Sequence, residues 1–240
     1  SSKGVCLSEE GEHLLPYIQD YLRASDALRQ EAALQGESHN HVLRIGCFEN
    51  LDLGPLLFQA RDALPQEYAG LSCQLSVSAN YSALLRKLEE RSIDLAVMPL
   101  GIETPARFHA QVLTDDVTYA FFSARFPNAE QIHELMDLKD AVMFAGPEYN
   151  GLWQYLHNYF QHRGVKANLN YDPGMSIFTE RMIIESGEGI GFGGKYSLLY
   201  RNPDLRRLPL EMTGALGAVW CGDNSNPVIR PYIRGLLAQF

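Results

Sequence analysis

Val42-Leu43-Arg44-Ile45-Gly46, Leu71-Ser72-Cys73-Gln74-Leu75-Ser76-Val77-Ser78 and Ile93-Asp94-Leu95-Ala96-Val97-Met98 are short apolar runs separated by two stretches of helical spacing, Leu51 to Leu64 and Tyr81 to Arg91. The first and third runs read as buried strands, the second as a strand alternating at Leu71, Cys73, Leu75 and Val77, and Pro99 reads as the stop of the third. Strand, helix, strand, helix, strand, with crossovers too long for hairpins, predicts a parallel sheet covered by helices. The fold class is therefore α/β.

Outward from this core the pattern repeats. Val117 to Ser123 and Ala141 to Ala145 read as strands, Leu152 to His162 as a helix, Asn168 to Tyr171 as a strand, Ser176 to Ser186 as a helix and Gly189 to Gly193 as a strand. A late strand spans Ala215 to Cys221, and a terminal helix spans Pro227 to Phe240 with Ile229, Ile233, Leu236 and Leu237 on one side. Two α/β lobes are implied, without low-complexity segments or short repeats.

The first 36 residues differ in kind. Ser8 suits an N-cap, and Glu9, Glu10 and Glu12 suit the positive end of a helix dipole. Leu14, Ile18, Tyr21, Ser25, Leu28 and Ala32 then recur with the a/d rhythm of a coiled coil, through a helix over 8–36 that Pro16 would loosen in its first turns. At ~1.5 Å per residue such a helix is too long for a local core element. Its stripe needs a partner, either its own domain or, as the length favours, a second chain. Gly36-Glu37-Ser38-His39-Asn40-His41 follows, polar and with a breaker, so that 37–42 reads as a hinge.

The chain's 240 residues, 46% of them apolar, suffice for one large domain or two small ones. With 20 Lys and Arg against 29 Asp and Glu, the net charge of −9 argues against this stretch gripping a phosphate backbone by itself. Cys6, Cys47, Cys73 and Cys221 are scattered, with no CxxC and no clustered His, as reduced cytoplasmic thiols would be. No apolar run approaches the ~18 residues of a spanning helix, so no membrane association is expected.

Three segments carry a resemblance: Lys3 to Pro16, Leu43-Arg44-Ile45-Gly46, and Ile184-Glu185-Ser186-Gly187-Glu188-Gly189-Ile190-Gly191, with Ile93-Asp94-Leu95-Ala96-Val97 between them. In order and separation they resemble, in the LysR-type transcriptional regulators, the end of the winged helix with the start of the linker helix, the first effector-domain strand, the glycine turn of the second lobe, and the "DLAI" strand. The resemblance implies a long linker helix followed by two Rossmann-like lobes similar to a type 2 periplasmic-binding-protein fold, joined by two crossover strands near Thr118 to Ser123 and Ala215 to Asp223. On that pattern residues 1–7 are a remnant of the wing, 8–36 the linker and dimerisation helix, 43–120 with 216–240 lobe I, and 121–215 lobe II. DNA would be read only by a winged-helix domain missing from this chain, and the chain would form a homodimer or homotetramer through Leu14, Ile18, Tyr21, Leu28 and Ala32.

The implied effector site is the cleft between lobes. In open α/β sheets ligands bind beyond the carboxyl ends of strands, beside free N–H groups of helix N-termini. Lobe I would deliver Phe48, Glu49 and Asn50 from the first strand, Ser78, Ala79 and Asn80 from the second, and Pro99 and Leu100 from the third. Lobe II would deliver Phe144, Gly146, Tyr149, Met175 and Phe192. The resemblance stops short at Cys47-Phe48-Glu49-Asn50, where the family has small polar residues, and at the turn-rich Gly146 to Gly151. The aromatic content suits an apolar small molecule with one polar end. Asn50 and Asn80 are expected near two helix N-termini; with Glu49 facing solvent, the reading favoured, that end is a carboxylate, whereas Glu49 turned into the cleft would favour a neutral, zwitterionic or amine-bearing ligand.

Other chemistry is not indicated. Gly189, Gly191 and Gly194 satisfy GxGxxG, but a helix precedes them and a strand runs through them, the reverse of a dinucleotide-binding turn. The sequence has no GxSxG, HExxH or GxxxxGK[ST], and Asp115-Asp116 and Glu89-Glu90 are adjacent carboxylates that diverge on any regular element. No enzyme, cofactor or metal is expected. No cysteine falls between 121 and 215, which argues against the intralobe disulfide of the family's peroxide sensors; Cys47 reads as a buried thiol or, near the cleft, a reactive one. The rival readings are a transporter's two-lobed solute-binding protein, which would need export, and an enzyme on the same fold, such as a deaminase or synthase, which would need a catalytic set.

Overall fold

The computed structural model describes residues 8–36, 42–68, 70–78, 80–100, 104–145, 150–172 and 175–240, with the side chains of 29–36 and 150 left out. The expected wing remnant, all of the hinge but residue 42, and site residues Ala79, Gly146 and Tyr149 lie outside the description, as does the side chain of Ala32.

The chain opens with α1 (Glu9–Gly36), in which Pro16 is accommodated. Then come β1 (Val42–Phe48), α2 (Gly54–Asp62), β2 (Ser72–Ser78), α3 (Tyr81–Glu89), β3 (Leu95–Leu100), β4 (Phe108–Ser123), β5 (Met143–Phe144), α4 (Asn150–Gln161), β6 (Leu169–Asn170), α5 (Ile177–Ser186), β7 (Gly191–Gly193), β8 (Leu205–Cys221) and α6 (Ile229–Leu237). β1 lies between β2 and β3, parallel to both. β8 runs antiparallel to β3 and β4, and β7 closes a six-stranded sheet in the order β2-β1-β3-β8-β4-β7. A smaller parallel pair, β5 and β6, is tied to β7 by a bridge from Met143 to Ile190.

Local chemistry sets the boundaries. Pro55 in the first turn of α2 starts that helix at Gly54, three residues later than the spacing predicts. Asn80 caps α3 by accepting from the Ala83 N–H at 2.8 Å, Ser176 caps α5, and Gly187 ends α5 in the left-handed conformation at φ +89°. Pro99 does not stop β3. The strand continues to Leu100 against β8, and because β1 pairs only as far as Val97, one edge of β3 at Pro99 is open and can carry a residue without an N–H.

Two groups of buried side chains result. In the first, Leu43, Ile45, Leu95 and Val97 pack against α2 and α6, where Gly235 allows an approach in which a Cβ would meet Ala60 O at 2.7 Å and the buried Tyr232 hydroxyl donates to Leu57 O at 2.7 Å. α3 covers the other face through Tyr81, Leu84 and Leu88. A buried charge pair fixes β1: Asp94, 2% exposed, accepts from the Arg44 backbone N–H at 2.9 Å and from its guanidinium through both oxygens at 3.0 Å. The second group collects Phe122, Leu135, Leu138, Met143, Leu156, Phe160 and Ile190.

β4 and β8 belong to both groups. Leu113 and Leu216 pack in the first, Ala120 and Leu210 in the second, and the ladder between them is interrupted at Val112/Thr114 and Val117/Tyr119. The crossing strands are thus longer than expected: β4 begins at Phe108 and β8 at Leu205, with β4 exposed continuously from His109 to Val112 and β8 exposed at alternate positions, both too polar to read as buried strands.

The apolar side chains of α1 are exposed, Leu14 by 53%, Ile18 by 51%, Tyr21 by 71% and Leu28 by 72%. The helix does not fold back to bury its stripe on its own domain.

Candidate functional site

Between the two buried groups lies a cavity of about 250 Å³. Its floor comes from the crossing strands, through Asp116 and Thr118 of β4 and Met212, Gly214, Ala215 and Leu216 of β8, in the stretch between Leu113 and Ala120 and between Leu210 and Leu216 where each strand passes from one group to the other. On the first side stand Phe48, Glu49, Asn50, Leu51, Asn80, Tyr81, Pro99 and Leu100. On the second stand Phe144, Ala145, Gly151, Leu152, Asn170, Tyr171, Asp172, Met175, Ile177, Glu180, Phe192, Gly193, Gly194 and Ser197.

Of the residues expected from sequence, the cavity brings together Phe48, Glu49, Asn50, Asn80, Pro99, Leu100, Phe144, Met175 and Phe192. Ser78 does not line it: it is 7% exposed behind the wall, with its carbonyl accepting from the Glu49 N–H at 3.0 Å. Asn80 sits at a helix N-terminus as expected, but its side-chain oxygen is used by the α3 cap. Asn50 does not. It lies in the turn after β1, three residues before the α2 cap at Leu53, where its carbonyl accepts from the Leu198 N–H at 2.9 Å.

Glu49 corrects the expectation that it faces solvent. Its Oε1 accepts from the backbone N–H of Ile177, first residue of α5, at 3.3 Å across the cavity. Free N–H groups and the positive end of the dipole at an α-helix N-terminus attract a carboxylate, so the side chain turns inward. There it meets Glu180, in the first turn of α5, and burial together with the Glu49 charge pushes the Glu180 carboxyl up to about 7. Asp116 is also raised by burial, an effect opposed by the Lys195 N–H that donates to its Oδ1 at 2.9 Å. Gly194 makes room for that carboxylate, since a Cβ there would stand 1.7 Å from Asp116 Oδ2. Two polar atoms of the lining, Asn50 Oδ1 and the Tyr81 hydroxyl, are buried without a hydrogen-bond partner among the described residues.

Sequence reasoning missed the floor and the α5 carboxylate. Asp116 alternates with exposed Asp115 on a strand, so strand periodicity alone could have separated them. Glu180 carries no such signal, because a Glu in a first helical turn is ordinary on a solvated face. The glycine run is structural: Gly187 caps α5, and a Cβ on Gly191 would meet Ile184 Cδ1 at 2.3 Å. Cys47 is buried and its thiol is pushed up to about 12 by that burial, which makes it a packing residue. No group of His, Cys, Asp and Glu suited to a metal ion occurs among the described residues, and no helix among them is long and apolar enough to cross a membrane.

The family model described as the LysR substrate binding domain matches residues 36–240. The chain belongs to that family, the effector-binding regulatory domain of LysR-type transcriptional regulators, which bind DNA and small effectors and are not enzymes. Among solved structures it is similar to CbnR, a LysR family transcriptional regulator, with a TM-score of 0.66 at 12% identity over 97% of this chain and 81% of that one. Full-length CbnR in complex with its target DNA gives 0.65 at 13% identity, over 99% and 84%. The reduced regulatory domain of OxyR2 from Vibrio vulnificus gives 0.62 at 18% identity, over 85% and 98%. At these identities the likeness is one of fold. A comparison with curated protein sequences found no match.

Proposed function

We propose that a small organic molecule occupying the cavity between the two buried groups is the effector of a cytoplasmic transcriptional regulator, and that its binding alters how the lobes sit about the β4 and β8 strands. The observation that carries this is the floor. Asp116, Thr118, Met212 and Gly214 lie where each strand passes from one group to the other, so a molecule there touches both lobes and the segments that join them. A ligand shifts an equilibrium only by its difference in affinity for the two states, and about 1.4 kcal/mol of difference shifts it tenfold. The lining offers a preference: apolar surface from Phe48, Leu100, Phe144, Met175 and Phe192 beside polar groups from both sides.

The exposed stripe of α1 supports a homodimer or homotetramer, in which the helix relays the lobe arrangement to DNA-binding domains. The reading of the effector as an aromatic carboxylate depended on Glu49 facing solvent and loses that support here.

The test is native mass spectrometry of the purified chain after exposure to a small-molecule extract, beside Gly214→Phe. Gly214 lies between Met212 and Leu216 in the floor, and a Cβ there would meet only Asp116 O at 3.7 Å, so the phenyl group has room to fill the cavity. A molecule retained by the wild type and lost from Gly214→Phe supports the reading. One retained equally by both overturns it.

A further inference from the structure

Of the lining residues described, Glu49, Asp116, Asp172 and Glu180 are acidic and none is Lys, Arg or His. Asp116 is answered by the Lys195 N–H, but Glu49 and Glu180 are in no ion pair among the described residues. The cation next in sequence to Glu180, Arg181, lies at ion-pair distance from Glu185, Nε to Oε1 at 3.2 Å, although that Nε makes no hydrogen bond among the described residues. Lys195 directs its ammonium over the Tyr196 ring, 4.8 Å from the centroid.

Two further observations point the same way. The starts of α3, α4 and α5 all reach the lining, and the one at α5, on the Glu180 side, is already occupied by the protein's own Glu49 carboxylate on the Ile177 N–H. And two buried lining groups lack a partner among the described residues: Asn50 Oδ1, an acceptor that calls for a donor, and the hydroxyl of Tyr81, a residue 7% exposed, which can donate or accept. A bound carboxylate would add a negative charge beside Glu49, hold Glu180 protonated and leave Asn50 Oδ1 unanswered. A bound ammonium or guanidinium brings several N–H donors and a positive charge to carboxylates that repel each other, while the apolar remainder of the molecule meets Phe48, Phe144 and Phe192, whose ring faces also favour a cation.

Resting on the reading of this cavity as the effector site, we infer that the effector is an amine or guanidinium compound with an apolar body, its positive nitrogen held between Glu49 of β1's end and Glu180 of α5. Because those residues stand on opposite sides of the cavity, the cation draws the two lobes together, and specificity for charge and response to ligand reside in one pair of side chains.

The experiment is thermal shift and calorimetry on the full chain with matched probes: 2-phenylethylamine, 3-phenylpropionate and 2-phenylethanol, and the hexane-1,6 series of diamine, diacid and diol. At least one amine should raise the melting temperature and bind at least tenfold tighter than its alcohol, with its carboxylate counterpart not binding. Glu49→Gln and Glu180→Gln, which keep shape and hydrogen-bonding atoms, should each weaken the amine tenfold or more. A carboxylate or alcohol that binds as well as its amine, an amine unaffected by both Gln variants, or a panel in which no amine binds overturns the inference. Binding of a carboxylate or alcohol that Gly214→Phe abolishes overturns the cation and leaves the cavity as the effector site. Binding of any probe that survives Gly214→Phe overturns the cavity reading itself.

Discussion

The Glu49 carboxylate and the Ile177 backbone N–H, 128 residues apart in sequence, meet at 3.3 Å across the central cavity. The contact answers a first-turn N–H of α5, beside the Ser176 cap, with a side chain from the end of β1, and so joins the two lobes by a bond that a ligand can compete with or reinforce. It also places Glu49 against Glu180, the source of the cavity's unbalanced negative charge. Replacing Glu49 with Gln should keep the cap and remove the repulsion, so the Glu180 carboxyl should fall from about 7 toward the ordinary carboxylate range. Carbon-detected NMR titration of Glu180 in the two proteins reads this directly. An unchanged midpoint would mean that burial alone raises it.

Glu180 also makes stability depend on pH. Its carboxyl titrates at about 7 in the folded chain against 4.5 as the ordinary value, so the folded state holds the proton more tightly. The stability it contributes is present below pH 4.5 and lost as pH rises through about 7. At about 1.4 kcal/mol per pKa unit the loss is on the order of 3–4 kcal/mol. Glu180→Gln should therefore stabilise the protein at pH 8 and leave it unchanged at pH 4, as measured by urea unfolding at the two values. Equal effects at both would contradict the linkage.

Asp94 marks the opposite case, a buried carboxylate with every partner in place: the Arg44 N–H and guanidinium, and Asn224 Nδ2 at 3.3 Å. Asp94→Ala leaves Arg44 without its partner and should cost about 3–5 kcal/mol. Chemical denaturation measures it. The loss should be one of stability, with the cavity residues untouched.

The α1 stripe makes a prediction about assembly. A chain of 26.9 kDa whose Leu14, Ile18, Tyr21 and Leu28 are exposed should run in light scattering at twice or four times that mass. Ile18→Glu with Leu28→Glu should return it to the monomer. A wild-type monomer at micromolar concentration would contradict the assembly.

The thiol of Cys47, pushed up to about 12 by burial, should resist iodoacetamide at pH 8 in the folded protein and react only on unfolding. Peptide mass spectrometry locates the label.

How far the sequence could be read follows from which physics is local. Strands such as Leu43 to Gly46, apolar but for Arg44, and Leu95 to Met98, apolar throughout, have both faces covered, and short apolar runs between amphipathic helices were enough to find them. Asn80 and Ser176 announce their helices by capping chemistry within three residues. The outer halves of β4 and β8 are half-solvated, and Arg206, Arg207 and Glu211 disguise the second as a loop. The inward turn of Glu49, though the sequence places that residue at the cleft, and the presence of Glu180 there were unreadable for a different reason. Each is an ordinary surface residue on its own element, and its role in the cavity arises from a neighbour more than a hundred residues away.

The most direct test of the effector site is the structure of this chain in complex with the molecule it retains. The account predicts that molecule in the cavity between the lobes, in contact with Gly214 and Met212 below and with its positive nitrogen within hydrogen-bond distance of Glu49 and Glu180. A ligand bound anywhere else on the chain, or one lying in the cavity with a carboxylate against α5 and Glu49 displaced, would contradict it.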